Sequence, residues 1–71
     1  MQTLVFNSTS KTVKLYEGNE KSEILYSFSN ISTVKANETS GFYELIQKIE
    51  DEKRLPVARF PIAATNMLIL T

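Results

Sequence analysis

Short runs of alternating apolar and polar residues, each closed by a cluster of turn-forming residues, set the rhythm of this chain. From Lys11 to Tyr16, Val13 and Leu15 fall on one side and Thr12, Lys14 and Tyr16 on the other. That is the period of a half-buried strand. Thr3–Phe6 forms another apolar run. Ile24, Tyr26 and Phe28 share a face, with Ser27 and Ser29 opposite. The phase slips near Asn30-Ile31, which predicts a bulge or bend, before Val34 and Ala36 resume. The turn clusters are Asn7–Ser10, Glu17–Ser22, Asn37–Gly41 and Glu50–Arg54. No internal repeat or interdomain linker stands out, and the expectation is one domain over residues 1–71.

The stretch GFYELIQKIEDEKR, residues 41–54, supports two readings. Phe42, Leu45, Ile46 and Ile49 make a helical stripe, and Glu44 and Lys48 are a favourable pair one turn apart. Thr39 or Ser40 would serve as N-cap, without a capping box. Against the helix, Phe-Tyr-Glu-Leu-Ile is rich in strand formers and Gly41 follows a turn cluster. A strand over 42–48, a polar turn at Glu50–Lys53 and a strand returning from Leu55 make a hairpin. Turn spacing favours this hairpin over the helix. The expected fold is therefore mainly β, a small barrel-like or sandwich-like antiparallel sheet of short strands. The alternative is α+β, with one helix at about 42–54 packed on the sheet.

The closing segment is the most unusual. Pro56 and Pro61 bracket Val-Ala-Arg-Phe, which predicts a strand near a sheet edge. Ile62–Asn66 reads as a tight turn or one helical turn, with Asn66 starting the last strand. Met67-Leu68-Ile69-Leu70 lacks alternation, so both of its faces should avoid water. A single small sheet covers one face only, so the other face calls for a helix, a loop or a second protein.

Composition narrows the chemistry. Seventy-one residues without a single cysteine or histidine exclude disulfides, thiolate chemistry and histidine-based catalysis or metal binding. A chain this short buries only about 60% of its unfolded surface, so association is the staple left to it. Eight basic and eight acidic residues give zero net charge. That argues against a dedicated nucleic-acid binder and permits self-association. Glu50, Asp51 and Glu52 read as a solvated turn rather than a metal site. Two glycines cannot build a phosphate cradle. The longest apolar run falls far short of the roughly 20 residues of a membrane span, and no signal peptide is expected, so the default location is cytoplasmic. The triplets starting at Asn7, Asn30 and Asn37 match the glycosylation pattern by chance.

No catalytic residue, cofactor site or metal site is expected. The leading function is a small, non-enzymatic protein-binding or regulatory module that occupies a partner protein's surface or forms a homodimer. Tyr16, Tyr43, Arg59, Phe60, Met67 and Leu68 are its candidate contacts, because aromatic and arginine side chains anchor interfaces. An ion pair between Arg59 and Glu44 is the purely structural reading of that arginine. The alternative is a nucleic-acid-binding module using Lys14, Tyr16, Arg59 and Phe60 for phosphate contact and base stacking. A scaffold component is a third class. The Lys, Asn, Ile, Glu and Ser bias suggests an AT-rich genome, and the size is in the style of phage or mobile-element accessory proteins.

Overall fold

The computed structural model describes residues 1–49 and 53–71. Seven strands follow in chain order: β1 (Gln2–Asn7), β2 (Thr12–Tyr16), β3 (Ile24–Phe28), β4 (Ile31–Asn37), β5 (Phe42–Ile49), β6 (Lys53–Pro61) and β7 (Thr65–Leu70). One 3-10 turn, Ile62–Ala64, precedes β7. The strands form two sheets, ordered β3-β2-β1-β7 and β4-β5-β6. The result is sandwich-like, without a closed barrel. Residues 42–49 are strand, so the hairpin holds and the helix at 42–54 does not form. The β-rich composition of Phe42–Ile46 and its apolar partners across the sheet outweigh the helical stripe. The turn expected at Glu50–Lys53 lies outside the described residues except at Lys53, which already belongs to β6, two residues before the expected return at Leu55.

The pleat assigns the faces. On the first sheet, Leu4 lies opposite Leu15 and Phe6 opposite Val13, with Met67 and Ile69 alongside on β7. On the second, Val34 lies opposite Leu45 and Ala36 opposite Tyr43. Leu4, Phe6, Val13, Leu15, Ile31 and Leu45 form the buried centre, flanked by Phe28, Val34, Tyr43, Ala58, Phe60 and Met67. Each fully buried aliphatic chain stabilises the fold by about 2 kcal/mol.

The sequence showed no repeat, yet the structure contains one. β1-β2-β3 and β4-β5-β6 are both antiparallel meanders with matching details. In the first hairpin the Asn7 side-chain oxygen accepts the backbone N–H groups of Thr9 and Ser10, both at 3.0 Å. In the second, Asn37 does the same for Thr39 and Ser40 at 3.1 Å. These asparagines therefore start the turns that two of the glycosylation-like triplets lie in. Each turn ends on a positive φ, 60° at Lys11 and 81° at Gly41. The carbonyls of those residues accept the N–H of Ile31 and of Ile62, just beyond the third strand of each unit.

Bulges repeat too. Leu15 faces Tyr26 and Tyr16 faces Ile24, leaving Leu25 as the extra residue. Leu45 faces Ala58 and Ile46 faces Pro56, leaving Val57 extra at the matching place. The first bulge corrects one expectation, because it sets Ile24 beside Tyr16 instead of in phase with Tyr26 and Phe28. A third bulge, at Ser32 of β4, is the phase slip expected near Asn30-Ile31, where Asn30 has φ 59°. Phe28 and Phe60, at matching places near the ends of the two units, meet edge to face with centroids 6.2 Å apart.

β7 breaks the pattern. It runs parallel to β1, in unbroken register from Gln2 opposite Thr65 to Asn7 opposite Leu70. All other pairings among the described strands are antiparallel. Among the described strands none lies on the matching flank of β4.

Candidate functional site

The outward face of the first sheet is built by the residues that alternate with its core. One row across the strands reads Ser27, Lys14, Val5 and Leu68, a second Ile24, Tyr16, Thr3 and Asn66, and a third Thr12, Asn7 and Leu70. Val5 and Thr3 are buried although they point away from the core, because they sit on a central strand with neighbours on both sides. Tyr16 is half-buried and Lys14 exposed. This face is thus a mixture of aliphatic, aromatic and hydroxyl groups with one cation.

β7 forms its margin. Met67 packs against the core, whereas Leu68, Ile69 and Leu70 are 38%, 63% and 45% exposed. The expectation that both faces of this segment are shielded is therefore not met by the chain itself. Met67 packs on the core; Ile69, on the same side of the sheet, is open to solvent, and Leu68 and Leu70 look outward. Beside the strand, an open groove of 320 Å³ is lined by Thr3, Asn19, Glu20, Asn66, Met67 and Leu68. Asn19 and Glu20 come from the β2–β3 loop, which is folded on itself by hydrogen bonds from Gly18 N–H to the Ser22 hydroxyl (2.8 Å) and from that hydroxyl to the Asn19 carbonyl (2.6 Å).

The second sheet presents a different outward face. Lys35, Glu44 and Arg59 stand in one row across three strands, alternating in sign. The Arg59 guanidinium also lies over the Phe42 ring at 5.3 Å. Opposite charges thus stand as register neighbours across the ladder, and the contact that engages Arg59 within the chain is the Phe42 ring. Between the two sheets, where β3 and β6 approach, Tyr26, Phe28, Val57, Ala58, Arg59 and Phe60 line an open groove of 420 Å³.

The residues singled out from the sequence do not gather on one surface. Tyr16 and Leu68 belong to the outward face of the first sheet, and Lys14 stands in the same row as Leu68. Tyr43, Phe60 and Met67 are half-buried and packed on the core. Arg59 occupies the outward face of the second sheet, with Glu44 as its register neighbour. The Lys14, Tyr16, Arg59 and Phe60 set is accordingly split between two faces and the interior. Sequence reasoning overlooked Val5, Ile69 and Leu70. Ile69 and Leu70 were visible as part of an apolar run, but Val5 needs the register to show that it points outward.

Among the described residues, no three acidic side chains cluster in a way that would hold a metal ion, and no helix is long and apolar enough to cross a membrane. No family model, curated protein or solved structure matches the chain.

Proposed function

We propose that this chain is a small, non-enzymatic protein-binding module, regulatory in effect, that acts by occupying the surface of another protein. One observation carries the reading: an edge strand leaves three consecutive large aliphatic residues, Leu68 to Leu70, open to water. Single exposed apolar residues are ordinary, but a contiguous group next to unpaired backbone groups is a docking feature. The edge supplies main-chain hydrogen bonds to an incoming strand, and the side chains on either side supply its apolar contacts. Tyr16, half-buried on the same sheet, adds an amphipathic anchor to the outward face. The cytoplasm, and an accessory role in a phage or mobile element, suit such a chain on compositional grounds.

Affinity capture from the native host, with the protein and an Ile69→Lys variant immobilised side by side, tests this. Ile69 is open to solvent, so the substitution leaves the core intact; circular dichroism checks that. The expected result is a host protein held by the unaltered chain and lost with the variant. Equal capture by both, or none by either, counts against the reading.

A further inference from the structure

The two sheets have four edge strands, β3, β7, β4 and β6. Three are blunted. β3 is bulged at Leu25, β4 is bulged at Ser32 and carries Lys35, and β6 is bulged at Val57 and carries Pro56, Pro61 and Arg59. Bulges, lysines and prolines are the devices by which proteins keep edges from pairing with other chains. Among the described strands, β7 alone is an edge with none of them: Thr65-Asn66-Met67-Leu68-Ile69-Leu70 has no charge and no proline, and no register shift interrupts its pairing.

The backbone sets which groups it offers. The Leu70 carbonyl accepts the Ser8 N–H at 2.9 Å, so Leu70 bonds toward β1. In a parallel pair, alternate residues of a strand bond to the same neighbour. Leu68 and Asn66 therefore also face β1, and Met67 and Ile69 direct their N–H and C=O groups to the open side.

We propose that the occupant of this edge is β7 of a second copy of the chain, antiparallel, with the two-fold axis at Leu68. In that register Met67 exchanges both main-chain hydrogen bonds with the partner's Ile69, and Ile69 with the partner's Met67. Leu68 meets the partner's Leu68, and Asn66 meets the partner's Leu70. Pairing spans Asn66–Leu70, with Leu68 set directly against its own copy and Ile69 against the partner's Met67. Charge allows it: the strand has none, so no charged residue meets its own copy, and zero net charge removes repulsion between copies. Two four-stranded sheets become one, and the Tyr16 face is doubled on a continuous surface. The proposal rests on the protein-binding reading and deepens it: the second copy fills the edge, and the dimer's doubled Tyr16 face meets the other protein.

Light scattering coupled to size exclusion, on the purified chain across a hundredfold range of concentration, tests it. The unaltered protein is expected to run as a dimer. Leu68→Lys and Leu68→Glu, each placing like charges across the axis, are expected to weaken association by about a hundredfold. Mixing the two variants restores a dimer, because Lys then faces Glu. A strict monomer at every concentration overturns the proposal, as does a dimer unaffected by either charge or variants that fail to rescue one another. A monomer that still captures a host protein through Ile69 overturns the dimer alone. A dimer that captures nothing leaves the dimer standing and removes the binding function.

Discussion

The two three-stranded units share a trace but not a surface. Both start a hairpin with an asparagine that accepts two backbone N–H groups, turn through a residue of positive φ, and carry a bulge after an equivalent buried leucine, Leu15 or Leu45. They differ wherever a side chain points outward. The second unit displays Lys35, Glu44 and Arg59 in a row of alternating sign, and among the described strands none pairs with the outer side of its flank strand β4. The first displays Val5 and Tyr16, and its flank is extended by an uncharged strand with exposed aliphatic residues. Features common to both units hold the fold together. Features present in only one are where the proposed association would take place.

If the repeat is energetic as well as geometric, matched substitutions should have matched costs. Leu15→Ala and Leu45→Ala, both at buried core positions, are each expected to destabilise by about 3 kcal/mol. Stability of a domain this size is typically about 4 to 10 kcal/mol, so urea titration will show either loss clearly. A large loss at one site only would reduce the repeat to a resemblance of backbone.

The turns should respond in opposite directions. Lys11 holds φ 60° with a side chain, whereas Gly41 reaches 81° without one and has open space around its α-carbon. Lys11→Gly is expected to stabilise by up to about 1 kcal/mol, and Gly41→Lys to destabilise by about the same. Thermal unfolding of both variants measures the difference. The smallest effect concerns the outward faces. Arg59→Ala removes a cation from the Phe42 ring and from its place beside Glu44, for an expected loss of about 0.5 kcal/mol. Lys14→Ala, flanked by Val5 and Ser27, is expected to change stability by less than that. A reversed order would mean that Lys14 is held more firmly on its face than Arg59 is by the Phe42 ring.

Much of this architecture was legible from period and punctuation. Val13 and Leu15 alternate with Lys14, the turns lie at the asparagine clusters, and Pro56 and Pro61 mark an edge. The hidden parts depend on pairing. The repeat is carried by a few turn residues, two leucines and two phenylalanines, while Val13 matches Tyr43 and Lys14 matches Glu44, so the units look unrelated in sequence. Ile24 lost its expected face because no local pattern reveals that Leu25 is bulged. Phe60 and Tyr43 seemed available for contact because aromatic type does not reveal direction; the register turns them inward. The run at Met67–Leu70 did flag an unusual strand. Its apolarity alone did not reveal that it would run parallel to β1 with only Met67 under cover.

Residue-resolved amide hydrogen exchange at low and high protein concentration tests the central claim, that β7 is an open edge awaiting a second β7. Leu68 and Leu70, bonded toward β1, should be protected at both concentrations. Met67 and Ile69 should exchange rapidly when dilute and become at least tenfold slower when concentrated. Exchange at Met67 and Ile69 that stays fast at every concentration, or protection that is already complete at high dilution in a monomer, would contradict it.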